Sequence, residues 1–149
     1  MSISVITGKP LAEAIQAGSS ELGRLVGVTL GPSAKTVAIE RPGRAPIVVQ
    51  DGHTVAVATQ FSGPAEPFSR ALKHAAAQVA EEAGDGTTTT IVLGVDMLSR
   101  TSQVLAAGMN PVEISNGMRA ATTEILESLE RLSRPCVSQS ELATPGFLW

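Results

Sequence analysis

The sequence predicts a mainly α fold, a helical bundle carrying one small β-hairpin. Three observations carry this. Apolar residues recur at helical spacing over four long stretches. Two short strand-like runs, Val37-Ala38-Ile39 and Ile47-Val48-Val49, flank Pro42-Gly43, which is a hairpin signal. The apolar fraction of 43% rests on Ala, Val, Leu and Ile, with three Phe, one Trp and no Tyr, and small side chains suit closely packed helices.

The elements follow in order. Ile3–Ile6 reads as a short strand edged by Thr7 and Gly8. Pro10 stands where an early helical residue is tolerated, and Leu11, Ala14, Ile15, Leu22, Leu25, Val26 and Thr29 form a helical stripe over Pro10–Thr29. Gly18, Gly23 and Gly27 weaken that helix on propensity, and Gly31-Pro32 ends it. The hairpin is expected over Thr36–Gln50, followed by an Asp51-Gly52 turn. His53–Phe61 is ambiguous between strand and helix. After a loop with Gly63 and Pro64, Phe68, Leu72, Ala75, Ala76, Val79 and Ala83 mark a helix over Pro67–Ala83. Ile91, Val92, Val95, Leu98 and Leu105 mark the next, over Thr88–Ala107, with Gly108 placed as its C′ residue. Asn110-Pro111 opens a last helix, Pro111–Leu132, which Pro135 stops. Val137–Trp149 shows no clear period. Three of these stripes must bury apolar surface, and the sequence offers no second set of elements to cover them all.

Composition excludes several classes. Net charge is −3 with Lys and Arg dispersed, so the electrostatic footprint of a nucleic-acid binder is lacking. The single cysteine, Cys136, excludes an internal disulfide framework and fits a reducing compartment such as the cytoplasm. Met1–Pro10 has no basic region followed by an apolar core, so no signal peptide is expected, and apolar runs fall well short of a membrane span. His53 and His74 have no metal-ligand spacing, and Cys136 has no paired base.

The run Ala83-Gly84-Asp85-Gly86-Thr87-Thr88-Thr89-Thr90 carries the most chemistry. Its glycines permit tight turning and close approach to a ligand. Its threonines open a helix, where backbone N–H groups and hydroxyls converge on an anion, phosphate above all. Four consecutive β-branched residues otherwise disfavour a helix. Asp85 is placed to hold a metal ion bridging phosphates. No lysine follows the second glycine, so this is not a Walker A loop. Two other turns, Thr29-Leu30-Gly31-Pro32 and Gln50-Asp51-Gly52, also put small residues and oxygen ligands on tight bends. Brought together, the three would surround a metal-bound polyphosphate. Taken singly, an Asp-Gly turn is ordinarily just a turn, and Gly31-Pro32 just a helix terminator.

In this order, Val28-Thr29-Leu30-Gly31-Pro32, Gln50-Asp51-Gly52, Ala83–Thr89, Ala106-Ala107-Gly108-Met109-Asn110-Pro111 and Leu132-Ser133-Arg134-Pro135-Cys136 resemble the N-terminal part of a group I chaperonin. That family comprises ring-forming, ATP-dependent protein-folding chaperones. The resemblance runs from about Val5 to Cys136 and implies residues 1–136 as an incomplete equatorial, ATP-binding domain, with 137–149 a divergent tail. It implies that Thr29, Leu30, Gly31, Pro32, Gly84, Gly86, Thr87, Thr88 and Thr89 bind ATP and its phosphates. Asp85 would ligate Mg2+, and Asp51 would stand near the γ-phosphate and attacking water. Thr29 and Gln50 carbonyls with Thr88 would hold a monovalent cation such as K+. Implied partners are other chaperonin subunits and, for complete family members, unfolded protein and a co-chaperonin lid, with no nucleic acid and no membrane.

Departures are specific. Ser33-Ala34 replaces a basic residue and glycine, Gln50 replaces a lysine, and Phe61–Phe68 carries extra prolines. The expected hinge, apical domain and returning half of the equatorial domain, with its water-activating carboxylate and much of the adenine pocket, are not in this sequence. Three readings stand. One is an ATP-binding chaperonin portion with little or no autonomous ATPase or folding activity. Another is a non-enzymatic subunit that associates with full-length chaperonin or with itself. The last is an unrelated helical binding module.

Overall fold

The computed structural model describes residues 5–135. Ile3, Cys136 and the tail through Trp149 lie outside the described residues. The chain divides into two compact units, Met1–Ser102 and Gln103–Trp149. Helices α1 (Gly8–Gly27), α2 (Gly52–Ala58) and α3 (Glu66–Ala83) belong to the first, with strands β1 (Val37–Arg41) and β2 (Arg44–Val49). Helix α4 (Thr87–Ala106) ends in the second, which also holds α5 (Pro111–Leu132). The mainly α expectation with one hairpin is thus met. Val5 and Ile6 take no strand conformation, unlike the expected opening strand.

The hairpin pairs Val37 with Val49, Ala38 with Val48, Ile39 with Ile47 and Arg41 with Arg44, with an irregularity between Ile39 and Arg41. Pro42-Gly43 makes the turn. Val37, Ile39 and Val49 pack on the core while Ala38 and Val48 face out, the alternation of a half-buried strand pair.

The ambiguous segment after the hairpin is α2. Asp51 decides it: its carboxylate caps the helix by accepting from the backbone N–H groups of His53 and Thr54. An N-cap satisfies donors that a first helical turn otherwise leaves unpaired. A 3-10 turn, Gly63–Ala65, leads into α3 with Pro67 in its first turn.

The core of the first unit comprises Leu22, Val26, Val55, Ala56, Leu72, Ala76 and Ile91, so α1, α2, α3 and α4 all contribute. The glycines that weaken α1 on propensity have a packing reason. A Cβ at Gly18 would run into the carbonyl of Ala65, with the carbonyl carbon at 3.0 Å. A Cβ at Gly23 would meet Val95 at 2.8 Å. Bare backbone lets the 3-10 turn and α4 approach α1 closely, and density is gained where propensity is lost.

In the second unit α4 ends in a Schellman arrangement. Met109 N donates to Val104 O at 3.1 Å and Gly108 N to Leu105 O at 3.0 Å, with Gly108 at φ 89 as C′. Asn110 caps α5 through Val112 N. Helix α5 buries none of its residues among those described, and Val112, Ile125, Leu126, Leu129 and Leu132 are exposed.

Candidate functional site

The first turn follows α1. Thr29 N and Leu30 N close back on Val26 O and Gly27 O at 3.0 and 3.1 Å. The Thr29 hydroxyl donates to Val26 O at 2.7 Å, and the residue is buried. A carbonyl only accepts, so this hydroxyl's proton is committed and its lone pairs alone remain for another partner. Leu30, Gly31 and Pro32 are exposed, and Gly31 takes φ 82.

The second turn is the junction of β2 and α2. Gln50 Nε2 donates to Thr36 Oγ1 at 2.9 Å, which ties the base of the hairpin together. Asp51 Oδ1 accepts from His53 N at 3.0 Å. Its Oδ2 accepts from Thr54 N at 2.9 Å and from the Thr54 hydroxyl at 2.6 Å. Partial burial pushes this carboxyl up. The Thr54 hydroxyl and the backbone donors of Thr54 and His53, aided by the nearby His53 ring, outweigh that and hold it below the ordinary carboxylate range.

The third turn joins α3 to α4. Gly84 and Gly86 take φ 78 and 93, left-handed conformations that side chains with a Cβ rarely adopt. Asp85 is exposed, and its Oδ1 accepts from Gly86 N at 2.6 Å. The four threonines are not equivalent. Thr90 donates its hydroxyl to Gly86 O at 2.9 Å. The hydroxyls of Thr87, Thr88 and Thr89 have no hydrogen-bond partner among the described residues. They sit on the first turn of α4, where backbone N–H groups point forward unpaired and the helix dipole favours an anion.

These turns meet at Gly52. A Cβ built there would overlap the Thr88 hydroxyl oxygen and lie 2.7 Å from that of Thr29. Thr29, Gly52 and Thr88 come from three turns separated by 23 or more residues, yet their atoms crowd one methyl-sized space. The donor set fits a cation beside an anion. Thr29 offers lone pairs and Thr88 a free hydroxyl at that point, and Asp85 carries a carboxylate on the same turn as Thr88, three residues earlier. Among the described residues no three His, Cys, Asp or Glu cluster to hold a metal unaided. A single carboxylate instead suits magnesium, which takes one or two from protein and the rest from phosphate and water.

A model of the TCP-1/cpn60 chaperonin family matches residues 22–144. The chain belongs to that family. Chaperonin 60 subunit beta 3 of Arabidopsis thaliana chloroplasts is 39% identical over 130 residues, covering 87% of this chain and 22% of its own length. Chaperonin GroEL 2 of Albidiferax ferrireducens is 38% identical, covering 87% of this chain and 24% of its own. RuBisCO large subunit-binding protein subunit beta of Pisum sativum chloroplasts is 38% identical over the same shares, 87% and 22%. The chain thus spans less than a quarter of the length of these relatives. No helix among the described residues is long and apolar enough to cross a membrane.

Within this chaperonin portion the contact at Gly52 joins the three predicted turns. No hydrogen bond or ion pair among the described residues links Asp51, Asp85 and Gly31 to one another. Among the described residues, two cavities of about 350 Å3 lie elsewhere. One is lined by Ile6, Gly63, Pro64, Pro67 and Phe68. The other lies between α2 and α3, around Phe61 and Lys73. Burial pushes the Lys73 ammonium down, Glu66 opposing, and Lys73 donates to the Thr59 carbonyl beyond α2. Sequence reasoning missed the capping of α2 by Asp51 and the part played by Gly52. Asp51 followed three residues later by a hydroxyl residue was the available signal. Nothing in the spacing marks Gly52 as a contact across turns.

Proposed function

We propose that residues 1–136 are the N-terminal part of a chaperonin equatorial domain and bind the phosphates of ATP with magnesium, as one part of a protein-folding machine. The observation that carries this is the meeting of the Thr29 and Thr88 hydroxyls over the bare backbone of Gly52. In this reading Thr87, Thr88 and Thr89, with the orphan N–H groups of α4, hold phosphate oxygens. Gly84 and Gly86 shape the loop, Leu30, Gly31 and Pro32 flank the nucleotide, and Asp85 ligates Mg2+. Magnesium, when bound, offsets the repulsion between carboxylates and phosphate. Thr29 contributes acceptor oxygen, suited to a cation such as K+, with the Gln50 carbonyl and Thr88.

Asp51 already accepts three hydrogen bonds and is held ionised, so it orients neighbours rather than shuttling protons. A positioned acid–base group is worth about 10²–10⁴ in rate. Orientation by Asp51 without proton transfer therefore supports ATP binding by these residues with little turnover. One relative is named for binding the RuBisCO large subunit. Holding protein clients, and pairing with a lid, fall in this reading to segments beyond these residues, in the complete ring. The relatives' bacterial and chloroplast origins span two compartments, and a reducing, cytoplasmic setting suits a chain with one cysteine. Calorimetric titration with Mg·ATP and Mg·ADP tests the proposal: saturable binding that disappears without magnesium supports it, and none refutes it.

A second reading is favoured by α5. Its exposed Ile125, Leu126, Leu129 and Leu132 suit association with full-length chaperonin subunits or with further copies. A measured mass above that of one chain, or co-purified chaperonin, supports this. A stable monomer excludes it.

A further inference from the structure

We infer that Gly52 is a positioning residue of the phosphate site: its missing side chain is what lets the Thr29 and Thr88 hydroxyls approach one another. The inference rests on the nucleotide-binding reading above and adds to it a residue whose part is to leave space. Gly52 is buried at the first position of α2, immediately after the Asp51 cap. Its φ is not in the left-handed region, so its backbone does not require glycine. In a helix interior alanine is preferred over glycine by about 1 kcal/mol, and nothing in the backbone of this first turn calls for glycine. What excludes alanine is the space across the turn. A Cβ there would overlap Thr88 Oγ1, approach Thr29 Oγ1 to 2.7 Å and meet Thr88 Cβ at 3.0 Å.

Neither threonine can yield cheaply. Thr29 is anchored by its own hydroxyl on Val26 O and is buried. Thr88 is β-branched in a helix, where χ1 is restricted. It also lies three residues before Ile91, which is fully buried in the core. An added methyl group must therefore displace the Thr88 hydroxyl, the one of the pair with no internal partner. The position of that oxygen relative to Thr29 depends on Gly52 remaining bare.

The test is a double-mutant cycle on the full 149-residue chain, with Mg·ADP as the probe and affinity and melting temperature as readouts. The wild type must bind; if it does not, the nucleotide reading fails and this inference falls with it. With wild-type binding secured, Gly52→Ala is expected to lower affinity by about tenfold, the upper end of what losing one hydrogen bond from the Thr88 hydroxyl costs. In a Thr88→Ala background the same substitution should cost less than about threefold, since the hydroxyl it displaces is already gone. A general loosening of the fold would cost affinity equally in both backgrounds. A folded Gly52→Ala chain that binds like wild type, or equal losses in both backgrounds, overturns the inference while leaving the nucleotide reading intact. Should Gly52→Ala alone melt below the assay temperature, the double variant decides. It must fold and bind as Thr88→Ala does, and a further tenfold loss overturns the inference.

Discussion

Asp51 is drawn by two demands. Its carboxylate closes the first turn of α2 through three hydrogen bonds, and the family resemblance implies a place for it near the γ-phosphate. Replacement separates the two. Asp51→Ala should destabilise the chain by about 0.5–2 kcal/mol in urea unfolding, the cost of a lost cap, whereas Asn caps nearly as well and should retain most of it. The titration has a definite sign. Asp51 is held below the ordinary carboxylate value of about 3.9, so its contribution is complete above that pH and is lost as pH falls through its lower folded-state value. Melting curves from pH 6 to pH 3 should therefore show a steeper acid loss for the wild type than for Asp51→Asn. Asp85 is different, since among the described residues its one hydrogen bond is from the adjacent Gly86 N–H. Asp85→Ala should abolish magnesium-dependent nucleotide affinity with little change in melting. Thr88→Ala should weaken binding by roughly 0.5–1.5 kcal/mol, the net of one hydrogen bond. Unchanged magnesium dependence in Asp85→Ala would exclude its role as ligand.

Helix α1 shows where propensity and packing part company. Substituting Gly18 by Ala should stabilise an isolated helix by about 1 kcal/mol. In this chain the added methyl meets the backbone of Ala65, which cannot rotate away, so Gly18→Ala should instead destabilise by about 1–3 kcal/mol. Urea unfolding of the variant decides between the two signs. The same contrast shows what could be read from the chain. The stripes of α3, α4 and α5, the Pro42-Gly43 turn and the caps at Gly108 and Asn110 are local signals, and their bounds match within a residue or two. Helix α2 spans only 7 residues, too short for periodicity to separate helix from strand, and only its cap distinguishes them. The three candidate turns were legible one by one. Their meeting at Gly52 was not, because it depends on how α1, α2 and α4 pack, which no local spacing encodes. The family resemblance, not periodicity, supplied the expectation that they meet.

At the scale of the molecule the described residues contain one core, in the first unit, and an apolar face on α5 with no buried residue. Leaving even ~400 Å2 of apolar surface uncovered forgoes roughly 10 kcal/mol at about 25 cal/mol per Å2, comparable with a domain's whole stability. The purified chain should therefore self-associate or bind a chaperonin subunit that covers α5. Light scattering should report species larger than one chain, and hydrogen exchange should show α5 less protected than α1 and α3. A monodisperse monomer with strong protection throughout α5 would contradict this.

In the proposed function, three separate turns assemble a magnesium-dependent phosphate site. Isothermal titration of the purified chain with ADP, in magnesium and then in excess chelator, tests it most directly. The expected result is saturable binding with magnesium, loss of that binding with chelator, and no magnesium-dependent binding by Asp85→Ala. A chain shown by hydrogen exchange to be folded in α1, α3 and α4, yet giving no saturable heat with Mg·ADP, would contradict it.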